Sequence, residues 1–279
     1  MKKAIQIAYN EDFELKCKLA SMAGFEYMSA NLSEMLNKTE YEWEKITEDI
    51  GNTLAKYNLT CIQSHPYYYD LTLSSEIRKD ELEFAMKQAI ITSGKIGAKW
   101  CAFHPRSSLS TGSYHRQSFE DNKKPFSEYL ELAKKHGTGI AAENLLVIGT
   151  IQPIIPFYCS DYDDLMELVD YFNDPDMQIC WDTGHAHLMR FDQAAAIETL
   201  GSRIKCTHIH NNFRHDDEHL PVDQGNIPWE KVMGAFAKIG YDGPLTLETH
   251  CRYQTPELLK SFAAHNYATL EFLEGLMNK

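Results

Sequence analysis

The run Gln178-Ile179-Cys180-Trp181-Asp182-Thr183-Gly184-His185 decides the fold. A short segment, apolar on both side-chain parities, stops abruptly on a carboxylate, and a Thr-Gly-His turn then leads into a helical pattern. Apolar residues on both parities are the mark of a strand covered on both faces, as parallel strands are. The same unit recurs in both directions. Ala4–Ala8, Phe25–Met28, Thr60–His65, Trp100–His104 and Gly139–Glu143 precede it, and Ile204–His210 and Pro244–Glu248 follow, giving eight predicted strands. Between them apolar residues return at helical spacing: Trp43, Ile46, Ile50 and Leu54 in one stripe, Leu82, Met86, Ala89 and Ile90 in another. The last helix carries Leu259, Phe262, Asn266, Leu270 and Leu273, with Asn266 alone breaking the stripe. Gly24, Gly97, Gly137 and Gly240 each close a helical pattern just before a strand. Eight β-then-α units close most simply into an α/β fold of the (β/α)8 TIM barrel type, at roughly 250 residues. A doubly wound open sheet would carry a glycine-rich phosphate loop, and neither G-x-G-x-x-G nor G-x-x-x-x-G-K occurs. No linker composition interrupts the pattern, so one domain over residues 1–279 is expected.

Composition narrows the function. Of 279 residues 43% are hydrophobic and 24% charged, which is ample for a folded core and argues against disorder. The 27 Lys+Arg against 40 Asp+Glu leave a net charge of −13 with no long basic run, which argues against a nucleic-acid partner held by many phosphate contacts. The 7 cysteines are scattered without a Cys-x-x-Cys pair, and Cys61, Cys101, Cys180 and Cys206 fall inside predicted strands. They read as small buried hydrophobes rather than disulfides or thiolate zinc ligands. Glu11 and Asp12 arrive before any long apolar stretch, so no signal peptide is expected. The longest uncharged stretch, Asn144 to Ser160, contains Pro153 and Pro156 and is too short to span a bilayer of ~30 Å. A cytoplasmic protein without membrane contact is expected.

Function in a barrel of this kind sits at the C-terminal ends of the strands. Those ends read His65, His104, Glu143, Asp182, His210 and Glu248. The first four are 39 residues apart, and gaps of 28 and 38 lead to the last two. Six consecutive ends of metal-ligand type are hard to obtain by accident. Their mixed nitrogen and oxygen donors suit Mn²⁺, Zn²⁺ or Co²⁺. His185 adds an imidazole three residues past Asp182, and Asp217 and His219 add a further pair on the loop after Ile204–His210. His208 and His210 share one face of their strand. His208 lies ~6–7 Å deeper, so His210 is the expected mouth ligand, with His208 as the alternative or its buried neighbour. Arg106 and Arg214, on loops beside these ends, are candidates for substrate oxygens or a phosphate, or are simply solvated.

Ala142-Glu143-Asn144, Asp182-Thr183-Gly184-His185, His208-Ile209-His210, Gly225-Asn226-Ile227-Pro228-Trp229 and Leu247-Glu248 together resemble the sugar phosphate isomerase/epimerase family of xylose-isomerase-like TIM barrels. The resemblance spans nearly the whole chain. It implies that Glu143, Asp182, His210 and Glu248 hold one catalytic divalent metal and that His185 contacts substrate or a metal-bound water. The same barrel is also similar to that of endonuclease IV-type enzymes, which hold three zinc ions. Their ligand order resembles His65, His104, Glu143, Asp182, His185, a histidine at 208 or 210, Asp217, His219 and Glu248. Two departures weaken that second resemblance: those enzymes favour a Cys before the His of the Asp182-Thr183-Gly184-His185 segment, and a polar, glycine-containing stretch where this chain has Asn144-Leu145-Leu146.

The expected chemistry is isomerisation or epimerisation of a small carbohydrate, phosphorylated or not. A cation chelated by the carbonyl and adjacent hydroxyl stabilises an enediolate, while Glu143 and Glu248 remove and return the C–H proton or serve as ligands only. A metal-dependent keto-polyol dehydratase would use the same ligands, and a non-catalytic sugar-binding barrel is the bland alternative. The apolar stretch Leu145–Tyr158 after Glu143 reads as a lid or a homo-oligomer contact. Tyr67, Tyr68 and Tyr69 read as an aromatic rim for a sugar or as loop packing.

Overall fold

A computed structural model of the chain describes residues 1–67, 79–108, 114–148 and 155–278. In chain order its elements are β1 (Lys3–Ala8), α1 (Phe13–Ala23), β2 (Tyr27–Asn31), α2 (Glu40–Tyr57), β3 (Thr60–His65), α3 (Lys79–Lys95), β4 (Trp100–Phe103), α4 (Tyr114–His136) and β5 (Gly139–Glu143). There follow β6 (Val147–Ile148), β7 (Ile155–Pro156), α5 (Tyr162–Phe172), β8 (Met177–Asp182), α6 (Thr183–Leu188), α7 (Gln193–Leu200), β9 (Ile204–His208), α8 (Trp229–Lys238), β10 (Leu245–Leu247) and α9 (Pro256–Met277). Eight strands form one parallel sheet in the order β10-β1-β2-β3-β4-β5-β8-β9. Its two ends meet: the Ile209 N–H donates to the Thr246 carbonyl at 2.7 Å, and the Glu248 N–H donates to the Ile209 carbonyl at 3.0 Å. The result is a (β/α)8 barrel in a single domain.

The helices form for the reasons their sequences give. Trp43, Ile46, Ile50 and Leu54 of α2 are all buried against the sheet. Thr39 and Glu42 make a reciprocal capping box at its start, satisfying donors that helix N-termini leave open. Gly24 ends α1 at φ 107°, a conformation that only glycine adopts without strain. Six of the seven free cysteines are buried, and Cys251 is partly exposed.

Several strand ends move by one residue from the sequence reading, and three differences are larger. The second strand is Tyr27–Asn31 rather than Phe25–Met28, because Phe25 follows the left-handed Gly24 and still packs in the core between helix and sheet. The strand expected over Ile204–His210 ends at His208, where its pairing with β8 stops, and Ile209 is still bridged to Leu247. The apolar stretch after Glu143 holds a small antiparallel pair, β6 with β7. Residues 149–154 of that stretch, and Tyr68 and Tyr69 of the expected rim, lie outside the described residues. No helix among the described residues is long and apolar enough to cross a membrane.

Candidate metal centre

The barrel interior is filled in layers, and the centre is one of them. Trp100, Ala102, Ala141, Cys180 and Cys206 form an interior cluster. Gln63 joins the same level: its amide N–H reaches the Thr207 carbonyl at 3.5 Å, and its oxygen accepts from the Thr246 hydroxyl at 3.0 Å. Side chains two residues on along a strand point the same way, one step nearer the mouth. Two residues past Gln63, Ala102, Ala141, Cys180, Cys206 and Thr246 stand His65, His104, Glu143, Asp182, His208 and Glu248. The small residues below leave room for a ring of polar groups above.

These groups fall into overlapping sets whose donor atoms lie within 4.8 Å of one another. Glu143, Asp182, His208 and Glu248 make the four-residue set. His208 Nδ1 is 3.0 Å from both Glu143 Oε1 and Glu248 Oε2, and 3.9 Å from Asp182 Oδ2. On one flank His65, His104 and Glu143 converge: each imidazole Nε2 is 3.4 Å from Glu143 Oε2, and the two nitrogens are 3.3 Å apart. On the other flank His185 Nε2 and His219 Nε2 lie 3.4 and 3.1 Å from Asp217 Oδ2. His210 Nε2 bridges this flank to the middle, 3.1 Å from Asp182 and 3.7 Å from Asp217. Ligand atoms held ~2.0–2.1 Å from a tetrahedral ion are about 3.3 Å apart, so groups at these separations could hold an ion.

The orientation of the rings fits the same purpose. His65 Nδ1 faces the Pro66 carbonyl at 2.7 Å, His185 Nδ1 the Asn144 carbonyl at 2.9 Å, and His219 Nδ1 the Glu248 carbonyl at 2.8 Å. A carbonyl only accepts, so each Nδ1 carries a proton and each Nε2 is the atom turned inward, the orientation of metal-ligating imidazoles. Both Glu143 oxygens, both His208 nitrogens and Asp217 Oδ1 are buried without a hydrogen-bond partner. Buried atoms of this kind call for a cation or protons.

The titration behaviour follows. Burial pushes Glu143 up, but the charge of His208 and His104 overrides it and holds the carboxyl well below the usual range. Glu248 is likewise lowered, burial being outweighed by His208 and His219. Burial works against the His208 imidazolium, yet Glu143 and Glu248 raise it well above an ordinary histidine. His185 is raised in the same way by Asp182 and Asp217. His219 rises to about 9, burial being outweighed by Asp217 and Glu248. In the absence of a cation, protons on imidazoles balance the buried carboxylates; a divalent ion bound there would take over that role and release them.

Neighbouring polar residues set this geometry. The Asp182 N–H donates to Asn144 Oδ1 at 2.7 Å, the Asn144 amide donates to the Asp182 carbonyl at 2.9 Å, and Asp182 Oδ1 caps α6 by accepting the His185 N–H at 2.7 Å. The Asn212 amide donates to the Gly184 carbonyl at 2.9 Å, tying the loop after β9 to the same turn.

Residues 17–267 match the sequence model of the xylose isomerase-like TIM barrel family. The chain belongs to that family. It is 26% identical over 207 residues to the uncharacterized protein MJ1311 of Methanocaldococcus jannaschii, covering 71% of this chain and 68% of that protein. Among solved structures it is similar to a D-tagatose 3-epimerase-like protein (20% identity, 100% of this chain and 98% of the other, TM-score 0.74). It is also similar to the D-allulose 3-epimerase of Methylomonas sp. (15% identity, 98% of each chain, TM-score 0.75). At these identities the likeness establishes the fold, and within this family's barrel the site rests on the geometry above.

Glu143, Asp182 and Glu248 come together, and His208 completes their four-residue set, while His210 falls in two neighbouring sets, with Asp182 and His185 and with Asp217 and His219. The ladder pairs Asp182 with His208, and a register shift between Ile179 and Cys180 aligns Cys180 with Cys206, so the ring continues at 208. His210 lies past the ladder, over Gly184. His65, His104, His185, Asp217 and His219 all join the cluster. The two arginines do not. Arg106 pairs with Glu83 of α3 at 3.2 Å, and Arg214 Nε lies 3.2 Å from His187 Nε2. Sequence reasoning missed His250, whose ring stacks on His219 at 4.4 Å while His219 stacks on His210 at 4.1 Å. Its position two residues past Glu248 was the available signal.

Proposed function

We propose that this chain is a divalent-metal-dependent isomerase or epimerase of a small carbohydrate. The observation that carries the reading is the four-residue set at the barrel mouth, in which two carboxylates from β5 and just past β10 converge on one imidazole. Glu143, Asp182, His208 and Glu248 would hold the ion, which supplies Lewis-acid polarisation of a carbonyl so that the adjacent C–H becomes acidic. Asp182 is the fixed ligand, because Asn144 and the start of α6 immobilise it. Glu143 and Glu248 each keep a second oxygen for proton transfer: one takes the C–H proton, and the other, protonated, returns one to the opposite face. His185 lies beside Glu143 at 3.4 Å, within reach of a substrate hydroxyl above it. The sugar 3-epimerases among the structural neighbours support a carbohydrate substrate.

A second reading, a multi-metal phosphodiesterase, is favoured by one specific observation. His65 and His104 with Glu143, and His210 with Asp217 and His219, form two further candidate ligand groups. A single-ion isomerase has no need of them.

The test is metal content together with turnover in deuterated water on a ketose panel, with an abasic-site duplex alongside. One ion per chain with solvent deuterium entering beside the carbonyl supports the isomerase. Glu143→Gln and Glu248→Gln each abolish that exchange, a loss of at least about 10²-fold for a general acid or base. Nearly three ions with strand nicking and no exchange supports the second reading.

A further inference from the structure

We propose that Cys180 gives the metal centre a sulfur donor, so that Glu143, His208 and Cys180 form a ligand set that selects a thiophilic divalent ion, Zn²⁺ before Mn²⁺. This rests on the metal-dependent reading above and is independent of the substrate. Strand pairing puts the sulfur there. Glu143 stands directly opposite Cys180 across the β5–β8 ladder, and Cys180 stands opposite Cys206, two residues before His208, across the β8–β9 ladder. Neighbouring parallel strands lie about 4.8 Å apart, and paired residues share a face. Glu143 and Cys180 are therefore side by side, with His208 one step up on the next strand. The Cys180 sulfur, a carboxylate oxygen of Glu143 and a ring nitrogen of His208 all lie within 4.8 Å of one another. All three residues are buried, and both Glu143 oxygens and both His208 nitrogens have no hydrogen-bond partner.

Gln63 supports the sulfur from below. Its Nε2 donates to Cys180 Sγ at 3.8 Å and to the Thr207 carbonyl at 3.5 Å, while its Oε1 accepts from the Thr246 hydroxyl at 3.0 Å. A carbonyl only accepts, so the amide has one orientation, with N–H facing the sulfur. Hydrogen bonds of this kind to a ligand atom are the usual outer contacts of a metal site. Packing alone does not call for sulfur here, because Ala102 and Ala141 fill the same interior cluster on β4 and β5. The sequence reading treats every cysteine as a small hydrophobe, and among the described residues no other cysteine belongs to a ligand set. Thiolate favours Zn²⁺ and other soft ions, whereas Mn²⁺ takes carboxylate, carbonyl and water oxygens. Binding releases the thiol proton to solvent, as thiolate ligation requires.

Cobalt substitution of the chelated, reduced protein tests this. Co²⁺ bound to the wild-type chain shows a sulfur-to-cobalt charge-transfer band in the near ultraviolet. The band is lost in Cys180→Ser and kept in Cys206→Ser, which makes the same change in the same layer. In competition between Cd²⁺ and Mn²⁺, Cys180→Ser lowers the preference for cadmium at least about tenfold, the lower end of what even an outer partner is worth to metal affinity. The cadmium NMR shift of the wild-type protein needs no variant and falls in the range of sulfur-bound ions. Cobalt bound without the band, a band that survives in Cys180→Ser, an unchanged cadmium preference, or a cadmium shift of purely oxygen and nitrogen ligands each overturns the proposal. Deuterium exchange separates the two claims. Exchange with no sulfur on the ion sinks this inference alone, sulfur-bound cobalt without exchange on any ketose sinks the isomerase alone, and a chain that binds neither ion sinks both.

Discussion

Gly184→Ala is the most informative single change in this protein, because it adds one methyl group and no charge. Gly184 opens the first turn of α6 between Asp182 and His185, and a Cβ there would overlap the His210 ring at Cε1, Nδ1 and Nε2. Even Nε2, the least crowded of the three at 2.5 Å, must retreat by about 1 Å to reach ordinary contact at 3.4 Å. His210 has nowhere easy to go: it is fully buried, with His219 stacked at 4.1 Å. Its bond to Asp182 is 3.1 Å long, and a shift of that size takes it out of hydrogen-bonding range. Overpacking of this kind costs about 1–3 kcal/mol of stability. Loss of a group that orients a metal ligand costs about 10–100-fold in metal affinity. Chelator competition and urea unfolding, both before and after metal loading, read the two effects separately. A Gly184→Ala protein with wild-type metal affinity and wild-type stability would refute the argument that His210 is wedged between this turn and His219.

Three further outcomes are expected. His208→Ala abolishes metal binding at the four-residue set, whereas His210→Ala weakens it about 10–100-fold through Asp182, as measured by metal content after dialysis. The chelated protein loses stability above neutral pH: His219 is raised from about 6.5 to about 9, so its contribution is complete below pH 6.5 and is lost as pH rises through 9. The loss is at most about 3 kcal/mol, seen in urea midpoints across pH, and metal loading removes it only where an ion sits on His219. On the acid side Glu143, Glu248 and Asp217 are depressed, so their contribution is present above ordinary carboxylate values and fades as pH falls through their lowered ones. Cooperative unfolding of the chelated protein as pH falls below 4, moved to lower pH by saturating metal, checks this.

The fold was legible because a (β/α)8 barrel writes itself twice, once in strands apolar on both parities and once in helical stripes such as Trp43, Ile46, Ile50 and Leu54. What the sequence could not supply was register. Phe25 looks like strand because it is apolar and follows a helix-ending glycine, yet a core residue between helix and sheet satisfies the same description. Asn266 broke its stripe and is nonetheless fully buried in α9, with neither amide atom hydrogen-bonded to protein. Polarity at one position is a weak guide when the surrounding face is apolar. The placement of the arginines was illegible for a different reason: which way a loop cation turns depends on where Glu83 and His187 stand, and neither is near in sequence.

The exchange of His208 for His210 shows what would have been needed. Counting strand ends treats each strand alone, and on that count His210, nearer the mouth, is the natural ligand. The interior is built in layers, however, and a layer is a statement about all strands at once. Cys180 and Cys206 are aligned across the ladder, as are Asp182 and His208. Once Asp182 is accepted as a ligand, the residue two past the cysteine on the next strand must share its level. A small residue followed two positions later by His, Asp or Glu occurs at Ala102-Phe103-His104, Ala141-Ala142-Glu143, Cys180-Trp181-Asp182 and Cys206-Thr207-His208. The small side chain is what lets the layer above sink into the barrel, where burial strengthens every charge contact and shuts out water. It follows that enlarging Cys206 should disturb His208 more than enlarging any residue of the loop beyond it. His210 then stands beyond that ring and braces Asp182 at 3.1 Å, close enough to the α6 turn that a Cβ on Gly184 would overlap its ring.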